Sequence, residues 1–128
     1  MKLLLDTHTF LWFIMGNPNL SVKARAAIED LANEKHVSAA SVWEIAIKLS
    51  VGKLFLSAPF STLIPDQLNA NGFELLPVEV THASALIILP FHHRDPFDRL
   101  LIAQAIVEQM RIVSIDSALD AYPISRLW

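Results

Sequence analysis

Cysteine is absent from this sequence of 128 residues, and glycine is scarce, with only three residues. The lack of thiols excludes disulfide bonds, thiolate catalysis and zinc sites built on cysteine. No apolar run approaches the ~18 residues that suggest a membrane-spanning helix. The seven prolines and three glycines are scattered singly, so no linker or low-complexity segment divides the chain. We therefore expect a single domain over residues 1–128.

Positive charge is also in short supply, since ten lysines and arginines face thirteen acidic residues, a formal net charge of -3. This balance disfavours nucleic-acid binding through overall charge but allows a local basic rim. The start of the chain, MKLLLDTHTFLWFIM, is apolar like a secretory signal. However, Asp6 and His8 interrupt the run, and no small-residue cleavage site follows. We expect a cytoplasmic protein.

Hydrophobic residues make up 53% of the chain, enough for a core with apolar surface left for a partner. Short apolar runs alternate with segments of helical periodicity. The pattern predicts strands at residues 2–5, 36–38, 73–76 and 111–115. It predicts helices at residues 7–15, 21–33, 41–51, 59–71, 81–89 and 96–110, with a last short helix after residue 116. Such alternation predicts an α/β fold in which helices sandwich a short, mainly parallel sheet.

Acidic residues directly follow two of the predicted strands. Asp6 comes after the first strand and Asp116 after the last. Ligands of open parallel sheets bind beyond the carboxyl ends of the strands, so both acids are expected to face one crevice. A structural interpretation is equally simple, because a lone acid after a strand often caps the next turn.

Two further acidic sites lie at predicted helix starts. In HHRDPFDRLLIAQA, Asp95 precedes a proline and Asp98 falls at the third helical position, so capping alone can explain both acids. In SVWE, Ser41 and Glu44 likewise have the spacing of a capping box. Capping does not explain the charged neighbours of Asp95, which are His92, His93, Arg94 and Arg99.

Gathering these acids at one sheet edge has an electrostatic cost. Two like charges 4 Å apart repel by roughly 4 kcal/mol at an effective dielectric constant near 20. Such a cluster must bind protons or hold a cation, and oxygen ligands favour Mg²⁺ or Mn²⁺. A hard divalent ion that activates water is the basis of metal-assisted phosphodiester hydrolysis. The combination of acids therefore indicates nuclease chemistry.

The same segments resemble the PIN-domain ribonucleases, and especially the VapC-like toxins of bacterial toxin-antitoxin pairs. The resemblance spans nearly the whole chain and rests on LLLDTH, SVWEIAIKLSVGKL, HHRDPFDRLLIAQA and IVSID, in the family's order. It implies a PIN-like three-layer α/β/α fold. It also implies that the catalytic, metal-ligating acids are Asp6, Glu44, Asp98 and Asp116, with Asp95 as a helix cap or a group behind the ligands.

The resemblance further implies an endoribonuclease that uses Mg²⁺ or Mn²⁺ and water, and that leaves 5′-phosphate and 3′-hydroxyl ends. The implied partners are an RNA substrate, a cognate antitoxin that covers the site, and a second copy of the chain in a homodimer. Leu119 departs from the aromatic residue that similar proteins often carry after the last acid. Asp120 is therefore an alternative to Asp116, and Asp95 is an alternative to Asp98.

Two other functions fit parts of the pattern. A haloacid-dehalogenase-like phosphatase also has an Asp after its first strand, but it expects a second Asp where this chain has His8. A PIN-like module that binds RNA or protein without cleavage has no need of a complete set of acids. We rank both below the nuclease.

The remaining polar and aromatic candidates have a structural and a functional interpretation. The hydroxyls of Thr7 and Ser114 either orient water or satisfy the backbone. Adjacent histidines diverge and no third ligand is spaced to join them, so no zinc site is predicted. The basic residues either belong to the solvated surface or form a rim that binds phosphates. They are Arg94, Arg99, Lys48 and Lys53. Three aromatic residues are interpreted as core or interface residues rather than as base-stacking surfaces: Trp12, Trp43 and Phe97.

Overall fold

A computed structural model describes residues 1–128, and its centre is one sheet of five parallel strands. The strands are β1 (Lys2–Leu5), β2 (Glu34–Ser38), β3 (Phe73–Leu76), β4 (Arg111–Val113) and β5 (Arg126–Leu127). The helices are α1 (Thr7–Met15), α2 (Val22–Glu29), α3 (Ala39–Ser50), α4 (Phe60–Ala70), α5 (Val80–Ile87) and α6 (Pro96–Glu108). The predicted α/β fold with a mainly parallel sheet is confirmed.

Apolar side chains on the two faces of the sheet form two separate clusters. Alternation along β1 directs Leu3 and Leu5 into one cluster and Leu4 into the other. The first cluster includes residues of α1, α2, α3 and α4, and the second includes residues of α6, with α5 packed against it. Helices therefore cover both faces of the sheet, which is the three-layer arrangement that the sequence pattern predicts.

The strand order is β3-β2-β1-β4-β5, so the chain builds β2 and β3 on one side of β1 and β4 and β5 on the other. A crevice forms at the carboxyl ends of the strands where the order switches direction. The amide N–H of Asp6 donates to the carbonyl of Val113 across 3.2 Å, and Thr9 Oγ1 donates to the same carbonyl across 2.9 Å. These bonds hold the ends of β1 and β4 together at the crevice.

Several helix boundaries differ from the predictions by a few residues, and two of the differences have a local cause. The second helix ends at Glu29 rather than at residue 33, because Asp30 has extended backbone. Leu31, which falls on the apolar face of the predicted helix, is consequently 94% exposed. The third helix starts before Ser41, because the side chain of Ser38 accepts the N–H of Ala40.

The short strand β5 was not predicted at all. It contains two residues and pairs with β4 only at Ile112 and Val113, too short a run for any periodic pattern. No helix of the structure combines the length and apolar character that crossing a membrane requires.

Candidate active site

Two carboxylates lie at the carboxyl edge of the sheet and are fixed by helix caps. Asp6 Oδ1 accepts the N–H of Thr9 at the start of α1, across 2.8 Å. Asp116 Oδ1 accepts the N–H of Ala118 at the start of a 3₁₀ turn, Ser117–Ala121, across 3.0 Å. Capping occupies one oxygen of each carboxylate, so the structural and functional interpretations of these acids are compatible. The cap orients each group through one oxygen and leaves the second oxygen for other contacts.

Glu44 projects from α3 and is 9% exposed. Thr7 Oγ1 donates to Glu44 Oε1 across 2.7 Å, and the ammonium of Lys48 lies 3.0 Å from Glu44 Oε2. Ser41 Oγ lies 3.0 Å from the same Thr7 hydroxyl. The capping-box interpretation of Ser41 and Glu44 is therefore wrong, since both residues lie inside α3 and face α1. The Thr7 hydroxyl serves a carboxylate rather than the backbone.

The two acids of the RDPFDR segment have different roles. Asp95 Oδ1 accepts the N–H groups of Phe97 and Asp98 across 2.8 and 3.2 Å, so Asp95 is the cap of α6. The Asp98 carboxylate instead lies 3.3 Å from Nε2 of His93. Asp98 is thus the acid of this segment that faces the other candidate ligands.

His93 joins the acids, which the sequence did not predict. Its Nε2 lies 3.0 Å from Oδ2 of Asp116 and 3.3 Å from Oδ2 of Asp98. The Asp95 N–H donates to His93 Nδ1, which leaves Nε2 to carry the hydrogen that Asp116 accepts, with Asp98 close to the same nitrogen. His93, Asp98 and Asp116 offer ligand atoms that all lie within 4.8 Å of one another. Asp6 and Glu44 are not part of this closest group.

Asp6 and Glu44 nevertheless act electrostatically on Asp98. The pKa of Asp98 is raised from 3.8 to about 7, first by burial and then by the negative charges of Asp95, Asp6 and Glu44. His93 acts against this shift and lowers the pKa. Asp6, Glu44 and Asp98 therefore share one electrostatic environment, although they lie on three different elements.

The donor set fits a hard divalent cation. Oxygen atoms dominate it, their negative charges repel one another, and the raised pKa of Asp98 shows that the position favours added positive charge. Asp6, Glu44, Asp98 and Asp116 could supply carboxylate ligands, and His93 could supply Nε2 once that nitrogen has released its hydrogen. The crevice would thus accommodate a cation without any cysteine.

Asp120, the alternative to Asp116 raised from the sequence, forms an ion pair with Arg126. The guanidinium of Arg126 donates to both Asp120 oxygens across 2.9 and 3.0 Å. This pairing lowers the pKa of Asp120 and raises that of Arg126. Leu119, the residue that departs from the pattern of similar proteins, is buried in the apolar cluster that includes residues of α6.

Arg99 belongs neither to the solvated surface nor to a basic rim, so both expectations for this residue are wrong. The residue is 4% exposed, and its guanidinium donates to the carbonyls of Pro90 and Leu89 across 2.9 and 3.2 Å. It also lies 4.0 Å from the centre of the Phe91 ring. Through these hydrogen bonds, Arg99 of α6 holds the segment between α5 and α6 in place. Arg94 and Lys53 are exposed, whereas Lys48 pairs with Glu44.

The histidines and aromatic residues only partly follow the expectations. His92 packs against Tyr122, with ring centres 5.2 Å apart, so the two adjacent histidines do diverge. Trp43 and Phe97 contact each other at 5.6 Å, but Trp43 is 65% exposed and not a core residue. Ser114 is buried, and its hydroxyl accepts the N–H of Asp116. No sequence signal distinguishes His93 from His92, because the approach of His93 to Asp116 depends on the fold.

The fold and the acidic side chains at its sheet edge define an α/β protein with an acidic crevice, and comparison with known proteins identifies its family. The sequence model of the PIN domain family matches residues 3–124. The chain belongs to the PIN domain family.

Two ribonucleases of Mycobacterium tuberculosis are similar in sequence. VapC22 is 31% identical over 120 residues, which cover 93% of this chain and 90% of that protein. VapC16 is 36% identical over 72 residues, which cover 53% of this chain and about half, 51%, of that protein.

Two solved structures share the fold. VapBC2 from Rickettsia felis, bound to a DNA fragment from its promoter, has a TM-score of 0.74 at 16% identity and covers 100% of both chains. A toxin-antitoxin complex from Klebsiella pneumoniae has a TM-score of 0.61 at 14% identity, covering 94% of this chain and 92% of that chain. The PIN-like three-layer fold is confirmed.

Proposed function

We propose that this protein is a metal-dependent endoribonuclease and the toxin of a toxin-antitoxin pair. One observation carries the proposal: Asp98 and Asp116 lie together beside His93, and burial and the negative charges of Asp95, Asp6 and Glu44 raise the pKa of Asp98 to about 7. The membership in the PIN domain family and the similarity to two ribonucleases support the same activity. The proposed ligands of Mg²⁺ or Mn²⁺ are Asp6, Glu44, Asp98 and Asp116.

A bound divalent ion supplies positive charge for the phosphate oxygens and activates water for attack on phosphorus. The residues of the protein hold the carboxylates in position for the ion. The caps at Asp6 and Asp116 fix two carboxylates, and Thr7 holds Glu44 in position. Asp98, with its pKa of about 7, exchanges its proton near neutral pH, so a proton and a cation compete for this carboxylate. Cleavage with water leaves 5′-phosphate and 3′-hydroxyl ends.

We also propose an antitoxin protein as the partner that restrains the activity. The structural neighbours include a toxin-antitoxin complex, and VapBC2 was solved with promoter DNA. A homodimer stays a prediction, supported by exposed apolar residues such as Trp43, Ile87, Ile88 and Phe91.

The decisive experiment is incubation of mixed-sequence RNA with wild type and Asp6→Asn, in Mn²⁺ and in excess EDTA. Asparagine also caps helices well, so Asp6→Asn retains the start of α1 while it removes the charge. Asp66→Asn is the matched control, because Asp66 is an exposed acid on α4. We expect cleavage only by wild type and Asp66→Asn, and only without EDTA. Equal cleavage by Asp6→Asn, or cleavage in EDTA, would contradict the assignment.

The two alternatives give different results in the same assays. A binding module would hold RNA tightly but would cut none of a diverse set of transcripts in Mn²⁺. A phosphatase with a nucleophilic Asp6 would form an aspartyl adduct with beryllium fluoride. The family assignment disfavours the phosphatase.

A further inference from the structure

A cavity of about 350 Å³ opens between α1 and the end of α3, beside the acidic crevice. Its lining includes His8, Trp12, Met15, Lys48 and Lys53. We propose that this cavity holds one unpaired nucleotide of the RNA, adjacent to the scissile bond. The proposal rests on the proposed ribonuclease function and adds a specificity-determining subsite to it.

The cavity adjoins the candidate ligands directly. The ammonium of Lys48, which lines it, lies 3.0 Å from Glu44 Oε2. His8 stands in the first turn of α1, two residues after Asp6. A strand of RNA with one phosphate at the acids therefore has its neighbouring nucleotide within reach of this cavity.

The end of α3 positions two lysines at the same cavity. Gly52 has a φ of +72°, in the left-handed region that favours glycine, and its N–H donates to the carbonyl of Leu49. The chain folds back, and the N–H of Lys53 donates to the carbonyl of Lys48 across 2.9 Å. Lys53 is exposed and forms no salt bridge, and no acidic residue lines the cavity. The charge therefore suits a phosphate group.

Aromatic rings supply the complementary surface for a base. The ring centres of His8 and Trp12 are 5.8 Å apart with an interplanar angle of 40°, and His8 is exposed. Trp128 lies behind Trp12 at 6.0 Å and follows β5 at the same edge of the sheet. Bases of single strands stack on such rings, while cationic side chains bind the adjoining phosphates.

A second cavity of about 350 Å³ lies on the other side of the crevice, beside Trp43 and Phe97. Its remaining lining residues are Ala40, Leu86, Pro96 and Leu100, none of which is charged. This cavity therefore has no charged side chain that could bind a phosphate. The difference in charge assigns the nucleotide to the cavity of His8 and Lys53.

The first test measures RNA binding without cleavage. An Asp98→Asn background binds a fluorescent single-stranded RNA of mixed sequence in Mg²⁺, with and without Lys53→Gln. We expect Lys53→Gln to weaken binding about threefold to tenfold and to reduce the slope of log Kd against log salt by about 0.7, the loss of one phosphate contact. Lys23→Gln, which removes an exposed lysine on α2, is the control and should leave both values unchanged.

The second test maps cleavage positions in a randomised RNA for wild type and His8→Ala. We expect His8→Ala to lower kcat/KM and to change the nucleotide preferred next to the cut, because an exposed ring contacts that base. Cleavage with an unchanged preference, together with an unchanged salt slope in Lys53→Gln, overturns the inference while the ribonuclease function stands. That result also fits a cavity that receives a protein segment. Absence of any cleavage by wild type would instead overturn the proposed function.

Discussion

Thr7 Oγ1 donates a hydrogen bond to Glu44 Oε1 across 2.7 Å and thereby joins the start of α1 to α3. The two residues are 37 positions apart in sequence and both are buried. Thr7 begins α1 directly after Asp6, which is one candidate ligand. The bond from Thr7 fixes the orientation of a second candidate ligand, Glu44. It is the most direct connection between the segments LLLDTH and SVWE.

Replacement of Thr7 by valine removes this hydrogen bond and keeps the side-chain shape. We expect a loss of about 1–3 kcal/mol of unfolding free energy, because Glu44 remains buried with only Lys48 as a partner. Activity should also fall, since Glu44 is no longer held in place. Denaturant unfolding measures the stability, and Thr62→Val on the exposed side of α4 is the control, with a change below about 0.5 kcal/mol.

The raised pKa of Asp98 predicts a pH-dependent stability in EDTA. A carboxyl whose pKa rises from 3.8 to about 7 on folding binds its proton more tightly in the folded state. Its contribution to stability is therefore complete below pH 4 and is lost as the pH rises towards 7, by at most about 4 kcal/mol. Asp98→Asn should raise the melting temperature at pH 8 and change it little at pH 4. A lower melting temperature for Asp98→Asn at pH 8 would show that Asp98 mainly stabilises the helix start.

Addition of a divalent cation should stabilise the folded protein by mass action. At a Mn²⁺ concentration 100 times the Kd, the gain is about 2.7 kcal/mol. The rise in melting temperature should be reversed by EDTA and should be smaller in Asp6→Asn and Asp98→Asn. Equal rises in the control Asp66→Asn and in both site variants would mean that Mn²⁺ binds elsewhere.

Removal of His93 should weaken cation binding near neutral pH. His93 lowers the pKa of Asp98, so His93→Ala leaves this carboxyl protonated at higher pH and also removes a candidate ligand. We expect a smaller Mn²⁺-induced rise in melting temperature at pH 7 than in wild type, with partial recovery at pH 8.5. His92→Ala provides the comparison, because His92 contacts Tyr122 rather than the acids. Identical behaviour of the two variants would exclude His93 from the site.

Substitution of Arg99 should change the stability of the fold rather than the chemistry of the site. Arg99→Gln should destabilise the protein by about 3 kcal/mol, because the carbonyl groups of Leu89 and Pro90 lose a charged donor. Arg94→Gln, at an exposed position, should change the stability by less than about 0.5 kcal/mol. Chemical denaturation distinguishes the two. If Arg99→Gln were as stable as wild type, its bonds to these carbonyls would be dispensable.

Local features of the sequence predicted most of the fold. The helix at Pro96 and the strand before Asp6 were recognisable because helical periodicity, proline placement and apolar runs act over a few residues. The same local rules placed Asp6 and Asp116 after strands, and parallel strands bring such positions to one edge. The capping role of Asp95 followed from its neighbours alone.

Residues whose partners lie outside their own helix or strand were the ones that local patterns missed. Arg99 carries a charge but binds buried carbonyls, and Asp120 is acidic but pairs with Arg126. His93 meets Asp116 from 23 positions away. No pattern within a helix or a strand reports these contacts, because they depend on how the elements pack.

The sequence by itself determined the order of the helices and of every strand except β5, and the acids available for a metal, because these follow from local periodicity and residue type. Its four motifs also carried the resemblance to the family. Only the tertiary structure decided which side chains meet. Packing around the switch between β1 and β4 brought His93 to the acids, buried Arg99 and raised the pKa of Asp98. Burial and charge proximity depend on distances in space, and those distances exist only once the chain has folded.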